Sequence, residues 1–146
     1  MISSLLRKLT GESVEGPLTQ DESRVAVAAL LVIAAHADHA YEEAECAQIE
    51  RVLAERYGLN PAQAAALRAE GEEAERASLD LYRFTSTVKK HIPYEERAAV
   101  VEAMWRVALA DGVREKHEET LLRRVTDLLG LDPRESIEAR RRVEGR

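Results

Sequence analysis

Apolar residues recur at helical spacing along most of the chain, with polar residues on the opposite positions. The pattern predicts helices at 21–37, 41–57, 60–76, 79–91, 93–110 and 114–129, and a last one from 132 onward. Asn60-Pro61 and Asp132-Pro133 are helix-start signals, because a capping side chain precedes a proline at the first helical position. Strand-favouring runs of β-branched and aromatic residues are missing, so the sequence predicts an all-α fold.

The chain contains an internal repeat. Residues 30–61 and 103–133 share the order helix, acidic corner, helix, glycine stop and proline-marked restart. Each copy carries an apolar stripe that it cannot bury alone, so we expect the copies to pack on each other in a compact bundle of about seven helices with two pseudo-symmetric halves. Corner residues of the second copy lie 73 positions after those of the first, and the glycine that ends the second helix lies 72 positions after its counterpart. The matched pairs are Asp38 with Asp111, Glu45 with Glu118, and Gly58 with Gly130.

The first 20 residues differ from the rest. We expect residues 1–20 to form an N-terminal stub and linker, and residues 21–146 to form the helical domain. The stub has three alternative docking surfaces, namely its own domain, a partner protein and a membrane surface. The apolar positions that share one face of the stub are Ile2, Leu5, Leu6 and Leu9.

Composition narrows the class of protein. The net charge of -6 argues against a nucleic-acid partner, which needs a basic surface. The single cysteine, Cys46, excludes an intramolecular disulfide and favours a reducing compartment, the cytoplasm. The longest apolar run, Val25 to Ala35, is too short to span a bilayer and predicts a helix buried on most sides. Trp105 is expected in the core or a groove.

The two corners carry the candidate chemistry. Each has the pattern Ala-Asp-x6-Glu, and carboxylates at a tight turn and the following helix start can converge on a divalent cation. The alternative is structural, because Asp caps helices and Glu in a first turn complements the helix dipole. A site containing histidine is the third alternative. The expected metal ligands are Asp38, Glu45, Asp111 and Glu118, and the nearby histidines are His36, His39 and His117.

Enzymatic activity is not expected. The sequence has no glycine-rich phosphate loop, nucleophile elbow or HExxH motif. Cys46 is surrounded by glutamates, which oppose thiolate formation. We therefore expect no catalytic residues and no cofactor other than a divalent metal cation.

The chain resembles the tellurite-resistance TerB family of bacterial proteins. The resemblance rests on AALLVIAAHADHAYEEAE, RYGLNPAQAAAL, RFTSTVKKHIPYEERAAVVEAMWRVALADGVREKHEE and LLGLDPRE, and it spans about residues 21–138. It implies an all-helical bundle of two related halves and a role in tellurite and chemical-stress responses. It also implies cation binding at an acidic surface, which falls here on Asp38, Glu45, Asp111 and Glu118, and protein partners at the inner membrane.

One position departs from the family pattern. The family usually has Asp-Gly at both corners, whereas this chain has Asp38-His39 at the first and Asp111-Gly112 at the second. If the first corner needs a positive φ angle, His39 is strained there or the turn differs. Two function classes follow from the sequence: a cation-responsive stress protein and a metal-independent protein-interaction module.

Overall fold

The computed structural model describes residues 20–36, 43–77, 85–86, 88–90, 92–109 and 116–145. This part of the chain contains helices and connecting turns but no strand, which confirms the all-α prediction. The N-terminal stub and most of the helix expected at 79–91 lie outside it, although residues 85–86 and 88–90 are helical. The longer helices are α1 (Gln20–Ala35), α2 (Glu43–Tyr57), α3 (Pro61–Ala77), α4 (Tyr94–Ala108), α5 (Lys116–Leu128) and α6 (Pro133–Glu144).

Both proline-marked helix starts are capped as their sequences predict. The Asn60 side chain accepts a hydrogen bond from the Gln63 backbone N–H at 2.8 Å, and the Gln63 side chain accepts one from the Asn60 N–H at 3.0 Å. This reciprocal pair is a capping box at the start of α3. Asp132 caps α6 by accepting from the Arg134 backbone N–H at 2.9 Å. That hydrogen bond lowers the pKa of the Asp132 carboxyl from its ordinary value.

The second helix of each half ends in the same way. Gly58 follows α2 with a φ of 64°, and Gly130 lies just beyond α5 with a φ of 76°. The residue after each glycine makes a backbone hydrogen bond to the last turn of the preceding helix. The N–H of Leu59 donates to the carbonyl of Ala54 at 3.1 Å, and Leu131 makes the equivalent bond at 3.0 Å. Glycine suits these positions because it adopts positive φ without a Cβ penalty.

Helix α1 lies at the centre of the bundle. Its residues from Val25 to Ala35 are buried except Ile33, which packs partly buried against the core. The helix contacts α2, α3, α4 and α5, which explains why it is apolar around nearly its whole circumference. None of the described helices is both long and apolar enough to cross a membrane.

The two halves use equivalent contacts. Within the first half α1 packs most extensively on α3, and within the second half α4 packs most extensively on α6. The first helices of the halves, α1 and α4, also pack on each other and join the two units. The predicted apolar stripes therefore meet in one core, whose largest fully buried side chains are Leu30, Leu31, Ile49, Leu53, Met104, Leu122 and Leu129.

The contact between α1 and α3 depends on Gly71. A Cβ built at this glycine would lie 2.7 Å from the Cβ of Ala28 and within 2.9 Å of the Ala28 and Ala29 backbone. The helices approach more closely here than a side chain at this position allows, because ordinary carbon contacts are about 3.5–4.0 Å. Gly71 thereby sets the distance between the central helix and α3.

Candidate functional site

The predicted acidic corners fall only partly within the described structure. Asp38 and Asp111 lie outside it, and so does the side chain of Glu118. Glu45 and Glu118 each occupy the third position of the second helix of their half, since α2 begins at Glu43 and α5 at Lys116. The structure therefore places the two glutamates at equivalent points, while cation binding by the four carboxylates stays a prediction.

Glu45 is buried, with 4% of its surface exposed. A buried carboxylate is unusual in a helix of an acidic protein, where most glutamates point to solvent. Its place in the first turn puts it near the positive end of the α2 dipole, which stabilises its charge. Both the cation-binding and the helix-stabilising interpretations of Glu45 are compatible with this position.

Histidine ligands are the other predicted feature near the first corner. His36 follows α1, and its Nδ1 lies 3.7 Å from Oε1 of Glu75 near the end of α3. His39 and the side chain of His117 lie outside the described residues. Among the side chains that the structure describes, no group of three or more His, Cys, Asp and Glu is arranged to hold a metal ion. The structure thus leaves the histidine-containing site untested.

Several carboxylates away from the corners tie helices together. Arg68 on α3 bridges Glu50 of α2 at 2.7 Å and Glu72 of its own helix at 2.6 Å. Arg106 on α4 pairs with Glu55 of α2 at 2.9 Å. These acids have arginine partners, so the acidic composition of the helices does not by itself create a cation site.

A groove of about 620 Å³ lies between α4, α5 and α6. Trp105 is 3% exposed and donates its indole N–H to the Ser136 hydroxyl at 3.0 Å. This hydrogen bond satisfies the only polar atom of the indole and fixes α6 against α4. The expectation that Trp105 is a core or groove residue is confirmed, since it is buried and also lines this groove.

The charged lining of the groove consists of three arginines and two glutamates. Arg140 lies over the Trp105 ring at 5.2 Å and pairs with Glu119 at 2.7 Å and with Glu144 at 3.6 Å, so its charge is compensated. Arg123 and Arg141 also line the groove, are exposed and make no ion pair within the described part of the chain. The groove lining therefore has one more positive than negative side chain, although the net charge of the protein is -6.

Sequence reasoning did not single out this groove. The signal available was the run Arg140-Arg141-Arg142 on an otherwise amphipathic final helix. The run alone does not show which arginines are compensated: Arg140 is paired with Glu119 and Arg142 with Glu102, while Arg141 faces the groove.

The described helices form an all-α bundle in which each half contributes three longer helices, the third of them capped at its start. The family model of tellurite resistance protein TerB matches residues 24–141. The chain therefore belongs to the TerB family, and the matched region contains all four predicted metal ligands. Neither the curated proteins nor the solved structures include a significant match to the chain.

Proposed function

We propose that the chain is a stress-response protein of the TerB type that acts without catalysis and binds a divalent cation through Asp38, Glu45, Asp111 and Glu118. The observation that carries the proposal is the duplication of the acidic corner. In both halves an aspartate lies five residues before the second helix begins, and a glutamate occupies that helix's third position. A need for helix capping explains acidic residues there, but it does not require the same pair at both corners.

The proposal assigns different roles to the two residue types. A glutamate in a first helical turn has its backbone fixed by the helix, so its carboxylate reaches out from a defined point. The aspartate five residues before the helix supplies a second oxygen ligand. Hard divalent cations bind such oxygen ligands in preference to nitrogen or sulfur. The family membership supports a role in tellurite or related chemical stress.

Thermal unfolding of chelator-treated protein with Ca²⁺, Mg²⁺, Mn²⁺ or Zn²⁺ tests the cation site. Binding to the folded state alone adds about 2.7 kcal/mol at a hundredfold excess over the dissociation constant. For a chain of this size the midpoint should rise by about 5–10 °C. The Asp111→Asn, Glu118→Gln double variant should lose the rise, while Asp127→Asn, an exposed charge change at the far end of α5, should keep it. If no cation raises the unfolding midpoint, the corner carboxylates only stabilise the helices and do not bind a metal.

The second candidate function is a metal-independent protein-interaction module, and the groove beside Trp105 favours it. Exposed Ile137 and uncompensated Arg123 and Arg141 border the groove. Apolar surface next to free arginines fits an acidic partner segment with an apolar anchor, because charge complementarity gives specificity and the apolar contact gives affinity.

The fluorescence of Trp105, the only tryptophan, reports binding in this groove. A synthetic peptide with glutamates flanking a leucine should change the emission saturably, with or without chelator, and should bind more weakly at high salt. The Arg123→Gln, Arg141→Gln variant should bind at least about tenfold more weakly. Arg124→Gln is the matched control, since Arg124 is the exposed neighbour of Arg123 and does not line the groove. Equal binding by the two variants would exclude the groove as the docking site.

A further inference from the structure

A second, smaller cavity of about 230 Å³ lies where the two halves meet. Its wall is formed by the first part of α1, the end of α2 and the beginning of α4. Ligand sites commonly form at such junctions, where a few polar groups converge on a space that the core does not fill. The cavity is separate from the acidic corners and from the groove beside Trp105, and it shares no lining residue with that groove.

Two arginines converge on one tyrosine at this cavity. The guanidinium carbon of Arg24 lies 4.8 Å from the centre of the Tyr57 ring, and that of Arg56 lies 5.6 Å from it. Arg56 also donates from Nε to the Tyr57 hydroxyl at 3.2 Å. Neither arginine forms an ion pair with a carboxylate in the described part of the chain. Two guanidinium groups thus contact the same aromatic ring, and both line the cavity.

The Nε of Arg24 is buried and has no hydrogen-bond acceptor among the described residues. Buried N–H groups in folded proteins nearly always have an acceptor from protein or solvent. Arg24 also lines the cavity, so an acceptor that enters the cavity lies next to a guanidinium whose hydrogen-bonding capacity is not used up within the described part of the protein.

The internal repeat provides a comparison for Arg24. Its equivalent in the second half is Arg97, at the offset of 73. Arg97 also has a buried Nε without an acceptor, but its Nη1 donates to the backbone carbonyl of Leu129 at 2.6 Å. Leu129 is the equivalent of Tyr57 at the offset of 72. In the second half Arg97 therefore binds the end of a helix, whereas in the first half the equivalent Arg24 lies over Tyr57 at the cavity.

The charge of the cavity wall favours an anion. Glu96 also lines the cavity, and it makes no ion pair with either arginine. Two guanidinium groups against one carboxylate leave the wall positive, although the whole chain carries a net charge of -6. Ser23 lines the same wall, and its hydroxyl is a hydrogen-bond donor.

We propose that this cavity binds a small oxyanion, held by Arg24 and Arg56 and by the hydroxyl of Tyr57. Guanidinium groups bind oxyanions through paired N–H donors, a geometry that a single ammonium group does not offer. A cavity of about 230 Å³ accommodates such an anion with a few waters, since one water occupies about 30 Å³ of liquid. Burial raises the pKa of Tyr57, so its hydroxyl stays protonated and can donate.

The test titrates the full chain with inorganic phosphate or with tellurite, in chelator and at constant ionic strength. The arginine Nε–H resonances are followed by NMR. The resonance of Arg24 should shift saturably with at least one of the two anions. Chelator removes any contribution from the proposed cation site, so failure of either proposal is recognised independently of the other. The two probes distinguish a general phosphate site from one that prefers tellurite.

Variants locate the site. Arg24→Gln and Arg56→Gln should each weaken binding by about tenfold or more, because each removes a charge-assisted hydrogen-bond donor. Arg51→Gln is the matched control on the same helix as Arg56, since Arg51 is exposed, hydrogen-bonds Gln48 and does not line the cavity. Arg97→Gln should keep anion binding, although it loses its hydrogen bond to the Leu129 carbonyl.

Tyr57→Phe keeps the ring beneath both arginines and removes only the hydroxyl, so it is measured even where Arg24→Gln fails to fold. It should bind the anion several-fold more weakly than the wild type. A linear, unsaturable shift with both anions would overturn the proposal. Equal affinities in Arg56→Gln, Tyr57→Phe and Arg51→Gln would overturn it as well.

Discussion

Replacement of Gly71 by alanine is the most direct test of the α1–α3 contact. The new Cβ would lie 2.7 Å from the Ala28 Cβ, 2.8 Å from the Ala28 carbonyl carbon and 2.9 Å from the Ala29 nitrogen. Two of these three atoms belong to the backbone, so no rotation of a side chain relieves the overlap. The helices must separate by roughly 1 Å to restore ordinary contact distances.

The expected loss follows from two opposing effects. Overpacking a core costs about 1–3 kcal/mol, and contact with a rigid backbone places this case near 3. Alanine is favoured over glycine within a helix by about 1 kcal/mol, which offsets part of the cost. Gly71→Ala should therefore lower the free energy of unfolding by about 2 kcal/mol. The thermal midpoint should fall by about 4–8 °C.

Urea unfolding followed by far-ultraviolet circular dichroism measures the change. Ala69→Gly on the exposed face of the same helix is the control, and it should cost about 1 kcal/mol from helix propensity alone. If Gly71→Ala proves as stable as the wild type, or more stable, propensity dominates and the close approach of α1 and α3 is not a constraint. That result would refute the packing argument.

Three further predictions follow from individual contacts. Asn60→Ala should cost about 1 kcal/mol in urea unfolding, because the reciprocal bonds with Gln63 are lost, whereas Asn60→Asp should keep most of that stability. Burial raises the pKa of Tyr57, so above pH of about 10 the unfolded chain ionises this phenol before the folded chain does. Stability should therefore fall as the pH rises through the raised pKa, and the fall should be smaller in Tyr57→Phe; an equal fall would contradict the assignment. Ser136→Ala leaves the buried indole N–H of Trp105 without its acceptor and should cost about 1–3 kcal/mol. Adding Ser136→Ala to Trp105→Phe should cost less than adding it to the wild type, and additive losses in this double-mutant cycle would argue against the bond.

Local signals in the sequence accounted for much of the fold. The starts at Asn60 and Asp132 and the glycine stops at Gly58 and Gly130 were predictable, because each depends on residues within about five positions of one another. The predicted C-terminal ends of helices were less accurate, because α1 ends at Ala35 and α4 at Ala108, each two residues before the predicted end. Fraying and capping determine at which residue a helix ends, and hydrophobic periodicity carries no information about either.

The two candidate sites also differ in whether local sequence signals point to them. The acidic corners are a feature of sequence spacing, so the chain itself nominates Asp38, Glu45, Asp111 and Glu118. The anion cavity joins Arg24 to Tyr57 and Glu96, residues from three helices that no local pattern connects. Such a constellation exists only after the two halves have packed.

The helical class, the repeat, the capped boundaries and the family could all be read from the amino-acid sequence, because they depend on periodicity and on neighbours along the chain. Tertiary structure alone decided that Gly71 sets a helix distance and that the indole of Trp105 donates to Ser136, 31 residues away. It also decided that two equivalent arginines, Arg24 and Arg97, have different partners. Each of these outcomes depends on which surfaces meet, and the side chains that meet are distant in sequence and are brought together only by burial of the shared core.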